Sequence, residues 1–391
     1  MGRTFAGAAS NNIAGQIDTW LARCADLERD PFDGMAEAGL LSPAATYTAI
    51  ARTKAALTER TGLPGVSGVW GGRQMVARWF IAGFGDAAQR ASWLGRAASV
   101  AISEPRVGAH PKLLTTRAEP DGNGFRITGE KAWVSNGPLA DVFVVLAITA
   151  EDNGRKRYSA LLVPHDAPGV TLKDMPACHA LRPSRHCGLL LDNVHVPRSA
   201  LLGPEGAAYE TMALPFRDIE DTVGTFSLLG AFRFLWMRLA TQGEVNDDAA
   251  LSLGAITALT AVFADAAEAV VAALDANRLA DKAATLVGLH VLAAELLHRA
   301  RRVIRGLDGA EVTGYRVCVR PMPADGESIV GWLPGAGRVY AAVTHSGVTL
   351  GAHLARLVAA EVAGGAELPE LAPYRPDRFA AAGTAFRVEH D

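Results

Sequence analysis

"GFRITGEKAWVSNG", residues 124–137, is the stretch on which the reading of the whole chain turns. Phe125 and Ile127 alternate with Arg126 and Thr128, the period of a half-buried strand. The turn "DGNG" precedes the stretch and Asn136-Gly137 closes it. The same short, apolar, turn-bounded runs recur around it as "SVAIS", "LLTTRAEP", "DVFVVLAIT", "YSALLVP" and "CGLLLDNVHVP". Residues 101–204 therefore form a β domain.

On either side the period changes. Residues 1–100 hold "IDTWLARCADL", "PFDGMAEAGLL", "TYTAIARTKAALTERTG" and "GRQMVARWFIAGFG", with apolar residues three and four apart and Gly or Pro between runs. Helical spacing returns over 205–305 in Ala- and Leu-rich runs broken near "TQGEVND" and "DANRL", the pattern of three or four bundle helices. From 306 to 391 the chain reads strand, turn, strand, turn, helix and a polar tail. The expected fold is a multidomain α+β protein: a helical N-terminal domain, a β-barrel-like middle domain, a partial helical bundle and a short α/β C-terminal segment.

Composition narrows the function classes. The chain has 391 residues, 49% of them hydrophobic and 20% charged, with a formal net charge of -3 and no long run of one sign. No footprint for nucleic acid or an anionic membrane surface follows from that balance. Asp265, Glu268 and Asp275 interrupt the most apolar region before it reaches the ~20 residues of a membrane span. Four cysteines without CxxC spacing and no leader-like N-terminus point to a reduced cytoplasm. "RHCG" at 185–188 has no second ligand cluster, so no metal is expected, and no serine has a G-x-S-x-G context.

Three motifs in order, "AISEPRVGAH", "GFRITGEKAWVSNG" and "VHVPRSALLGPEG", resemble the acyl-CoA dehydrogenase family over about residues 30 to 300. The resemblance implies an FAD-dependent oxidoreductase that α,β-dehydrogenates an acyl-CoA-like thioester and passes electrons to a separate acceptor. It implies a homo-oligomer as well. Ile102, Ser103, Trp133 and Ser135 inherit the flavin contacts, which suits a cofactor with an apolar π-face and a hydrogen-bonding edge. Glu220, ten residues before Gly230, stands where a minority of the family carries its catalytic base. The alternative is a solvated carboxylate near a helix start, where Asp218, Glu220 and Asp221 suit the macrodipole. Arg217 is a further candidate for substrate contact. Where the family has G-S-D this chain has Gly108, Ala109 and His110, so Ala109 takes the substrate-side position and His110 reads as a solvated loop residue. The family's bundle Arg with Phe-Gly and its late Gly-Gly segment are missing.

A second resemblance begins near residue 306. "VRPMPADGESIVG", "VYAAVTHSGVTLG", "HLARLVAAEVAGG" and "YRPDRF" resemble the C-terminal end of the D-amino acid oxidase and glycine oxidase superfamily. It implies that Arg320 grips a substrate carboxylate and that the turn holding Gly347, Val348 and Thr349 faces the flavin. "GVSGVWGG" has the wrong spacing for that superfamily's dinucleotide-binding turn. Three expectations stand: an acyl-CoA dehydrogenase-type enzyme, an amine oxidase-like activity, or a non-catalytic fusion of parts of two flavoenzymes.

Overall fold

The computed structural model describes residues 8–24, 26–27, 32–175, 182–240, 247–300, 329–332, 340–343, 357–364 and 367–377. The chain divides into two compact units, one of residues 1–104 and 115–317, the other of 105–114 and 318–391.

The first unit opens with α1 (Ala8–Leu21), α2 (Tyr47–Thr61), α3 (Pro64–Val76) and α4 (Ala87–Trp93). Residues 32–41 of "PFDGMAEAGLL" form turns rather than the expected helix, because Gly34 (φ 74°) and Gly39 (φ 75°) sit in the left-handed region. α2 is held at both ends. Thr46 accepts from the Ala49 N–H, and the Asp275 carboxylate accepts from the Tyr47 and Thr48 N–H groups at 2.7 and 2.9 Å. Gly62 (φ 70°) closes the helix in the left-handed conformation that glycine adopts without a Cβ clash.

The β domain is one sheet of eight strands among the described residues: β1 (Ala98–Ala101), β2 (Arg117–Pro120), β3 (Gly124–Ser135), β4 (Val142–Asp152), β5 (Arg155–Pro164), β6 (Val170–Asp174), β7 (His186–Pro197) and β8 (Leu201–Leu202). Their order is β6-β7-β3-β2-β4-β5-β8, with β1 parallel to β4. The expected barrel does not close: β6 and β8 end the path unpaired with each other, and β2 meets β4 through the single pair Arg117 and Ile148. β4 is buried without interruption from Val142 to Ile148, as a strand covered on both faces must be.

Three long helices follow among the described residues, α5 (Leu214–Ala240), α6 (Asp247–Asp275) and α7 (Ala283–Ala300). α5 is entered through a π-helical turn, Tyr209–Ala213, and α3 leaves through another, Ala77–Ala82. Trp79 joins the two, its Nε1–H donating to the Met212 carbonyl at 3.0 Å. α2 and α5 cross where Gly230 meets the backbone of α2, so closely that a Cβ there would lie 2.3 Å from the Ala55 oxygen.

The second unit contains a two-stranded antiparallel hairpin, β9 (Ile329–Trp332) with β10 (Tyr340–Val343), and helical residues 357–364. Val330, Leu357 and Leu371 make its small core. Arg375 of "YRPDRF" clamps it, pairing with Glu361 at 2.6 Å and donating to the Leu368 carbonyl. Ala109 and His110 belong to this unit, and His110 is buried at 4% exposure rather than solvated.

The close crossing at Gly230 yields a paired test. Gly230→Ala forces two backbones apart and should cost on the order of 1–3 kcal/mol. Gly254→Ala, in the exposed interior of α6 with nothing within 4 Å of a new Cβ, should stabilise by about 0.5–1 kcal/mol. Urea denaturation of both variants checks the contrast.

Candidate active site

Two motifs far apart in sequence meet through a buried ion pair. Lys131 of "GEK" and Glu104 of "SEP" stand 3.0 Å apart with side chains 0% and 3% exposed. Lys131 Nζ also donates to the Ile102 carbonyl at 3.1 Å. Glu104 accepts from the Thr115 N–H and hydroxyl and from the Thr116 N–H at 2.7 to 2.9 Å. The Ala132 N–H donates to the Ser103 carbonyl at 2.8 Å. The strand exit that holds Ile102 and Ser103 is thereby tied, carbonyl by carbonyl, to the strand that holds Trp133 and Ser135.

The geometry of that second strand is unusual. The β3–β7 register shifts between Lys131 and Val134, and Trp133 occupies the bulge with φ at 57°. A bulky residue in that region is strained, and such strain is held where the surroundings over-determine it. A bulge also re-aims a side chain out of the pleat. Here it leaves Trp133 39% exposed, edge-on to His186 at 6.1 Å, with Ser135 exposed two residues on. Asn136 follows in the left-handed region (φ 59°), its Nδ2 donating to the Val69 carbonyl of α3 at 3.1 Å. Asn136 Oδ1 is buried without a hydrogen-bond partner among the described residues. An outward aromatic face, an adjacent hydroxyl and an unfilled buried acceptor suit a planar cofactor with one apolar face and a polar edge. Ile102 is half-buried and lines a small apolar cavity with Phe80, Val144 and Met212.

Glu220 and Arg217 lie on α5, the glutamate exposed and the arginine half-buried. The π-helical turn before α5 puts Glu220 well beyond the first turn of the continuous helix. That position lies beyond the reach of the helix macrodipole, while the exposure of Glu220 is what the solvated-carboxylate alternative expects. Arg320, Gly347, Val348 and Thr349 lie outside the described residues. No cluster of three metal-ligating side chains occurs among the described residues.

Sequence reading missed Lys54. It lies on α2 at 5% exposure, with its stem against bare backbone: a Cβ on Gly71 of α3 would come within 2.5 Å of Lys54 Cδ. Burial lowers its ammonium to about 8, against the opposing pull of Glu220. A lysine at a helical position gives no sign of such burial in the sequence.

The fold built from these parts is that of the acyl-CoA dehydrogenases. Butyryl-CoA dehydrogenase from Megasphaera elsdenii superposes with a TM-score of 0.68 at 17% identity, over 81% of this chain and 92% of that one. Glutaryl-CoA dehydrogenase from Mycobacterium smegmatis superposes with a TM-score of 0.63 at 24% identity, over 77% and 86%. Residues 99–194, the β domain with both halves of the ion pair, match the family described as acyl-CoA dehydrogenase, middle domain. Among curated proteins, a cyclohexane-1-carbonyl-CoA dehydrogenase of Geobacter metallireducens is 38% identical over 131 residues, 34% of each chain. One of the same description from Syntrophus aciditrophicus is 36% identical over 102 residues, 26% of this chain and 27% of that protein. The matched stretch thus spans about a third or less of these relatives.

The ion pair sets an acid limit. Burial pushes the Glu104 carboxyl up, but Lys131 and the Thr116 and Thr115 hydrogen bonds outweigh it and hold the group at about 2, below its ordinary 4.5. A depressed carboxyl stabilises the fold above its unfolded value and loses that contribution as the pH falls. Stability should therefore drop between about pH 4.5 and pH 2. Glu104→Gln strands a buried ammonium and should cost about 3–5 kcal/mol at pH 7, with the acid-side slope flattened. Denaturant titrations at several pH values check both.

Proposed function

We propose that the chain is an FAD-dependent oxidoreductase of the acyl-CoA dehydrogenase type, acting on the Cα–Cβ bond of an acyl-CoA-like thioester. The observation that carries this reading is the outward face of Trp133 and Ser135, held against Ile102 and Ser103 by the buried Glu104–Lys131 pair inside the matched middle domain. FAD, when bound, supplies a two-electron acceptor for hydride. Trp133 would pack on its ring system, while Ser135, Ser103 and the local backbone would meet its polar edge.

Glu220 is proposed as the base. Its task is to take the α-proton of the thioester, which requires a carboxylate within hydrogen-bond reach of that carbon. Arg217, one turn earlier on the same helix, is proposed to meet the thioester's carrier. The functional division at about residues 100, 204 and 305, a homo-oligomeric state, an external electron acceptor and a cytoplasmic setting belong to the same proposal. The free thiols of Cys24 and Cys187 support the last of these. The oxidase-like tail enters as scaffold, because Arg375 of "YRPDRF" is engaged with Glu361 in the small core.

The test is the visible spectrum of the full chain after FAD is added and excess removed, followed by anaerobic addition of acyl-CoA thioesters. Retained flavin that bleaches is the expected result. Glu220→Gln should keep the flavin yet slow bleaching by about 10²- to 10⁴-fold, the usual worth of a positioned base. Undiminished bleaching in that variant would remove Glu220 from the role.

A further inference from the structure

The motif "RHCG" at residues 185–188 runs into β7, which pairs with the strand that carries Trp133 and Ser135. Val134 stands opposite Cys187, and Ser135 stands opposite His186. Opposed residues of an antiparallel pair share a face of the sheet, and successive pairs alternate between faces. The first pair is buried. The second, with Ser135 exposed and His186 half-buried, points the other way. The bulge brings the Trp133 ring to that same side, edge-on to the imidazole with centroids 6.1 Å apart. Trp133, Ser135 and His186 therefore present one outward surface.

Most hydrogen-bond donors around this surface are committed within the protein. The Trp133 N–H donates to the Met175 sulfur at 3.2 Å, the Asn136 N–H to the Arg185 carbonyl at 2.7 Å, and Asn136 Nδ2 to the Val69 carbonyl at 3.1 Å. The His186 ring nitrogens are different, since neither has a hydrogen-bond or ion-pair partner among the described residues. Burial lowers the imidazole below its ordinary 6.5, so at neutral pH the ring is uncharged and offers one N–H donor and one acceptor. Directly opposed residues hold their Cβ atoms about 4.5–5.5 Å apart. A three-ring planar cofactor is longer than that separation, so a flavin that meets Ser135 also meets His186.

We propose that His186 is a further flavin-contacting residue, whose imidazole N–H donates to the polar edge of the cofactor and favours its reduced form over its oxidised form. The proposal rests on the reading of Trp133 and Ser135 as the flavin face. A reduced flavin carries more electron density on its ring nitrogens and carbonyl oxygens than an oxidised one. A fixed donor aimed where charge develops stabilises the state that holds the charge. His186 thereby tunes the cofactor toward accepting the hydride that leaves the thioester, while Glu220 receives the proton.

The test is an anaerobic binding titration of the full chain with oxidised FAD and with dithionite-reduced FAD, for the wild type, His186→Phe and His186→Gln. Phenylalanine keeps a ring edge for Trp133 but removes the N–H, and glutamine keeps an N–H donor. His186→Phe should weaken the reduced form at least tenfold more than the oxidised form, which lowers the two-electron reduction potential by about 30 mV. His186→Gln should hold the preference to within threefold of the wild type. Equal weakening of both forms in His186→Phe, or no weakening of either, would reduce His186 to a packing contact and leave the flavin reading standing. A preference lost as fully in His186→Gln as in His186→Phe would overturn the donor role as well. If the wild-type chain binds neither form of FAD, the flavin reading falls and the proposal falls with it.

Discussion

The Glu104–Lys131 ion pair is the contact on which the rest of the candidate site depends. Each partner lies inside the protein, and alone each would be an uncompensated buried charge. Together they also satisfy the Ile102 carbonyl and the Thr115 and Thr116 N–H groups. These bonds are made at two strand ends whose side chains must present one surface. A buried pair of this kind adds little net stability over an apolar pair of the same shape, but it specifies register. Register matters here because a slip of one residue would turn Trp133 and Ser135 inward.

The helices add a second layer of constraint. Asp275 at the end of α6 caps α2, and Gly230 lets α5 lie against the α2 backbone. α2 is thereby fixed at its start and at its crossing, which places Lys54 under α3 and in electrostatic reach of Glu220. Asn136 connects this layer to the sheet through the Val69 carbonyl. The proposed base and the proposed flavin face are therefore held by helices and a strand that share direct hydrogen bonds within the first unit.

Much of this was legible in the sequence, for identifiable reasons. The strands of residues 101–204 alternate or run fully apolar, and the three dehydrogenase-like motifs recur in order at sensible spacing. The positions Trp133 and Ser135 emerged as exposed neighbours. Glu104 and Lys131 were visible only as letters of two motifs, since a pairing across 27 residues leaves no local periodicity. The bulge that turns Trp133 outward left no glycine to mark it. "PFDGMAEAGLL" has helical spacing, but Gly34 and Gly39 bend its backbone. Lys54 sits in an ordinary amphipathic pattern, and its burial arises from α3 and α5, which only the tertiary structure brings over it. Sheet closure was misread for a similar reason, because strand count and alternation are the same in an open sheet and a barrel.

The most direct measurement of the central claim is the dissociation constant for FAD in the wild-type chain and in Glu104→Gln, by calorimetry at a temperature where both are folded. If the ion pair presents the flavin face, the variant binds FAD at least tenfold more weakly although none of the proposed contact side chains has changed. An unchanged dissociation constant would contradict the account and reduce the pair to a structural contact of the β domain.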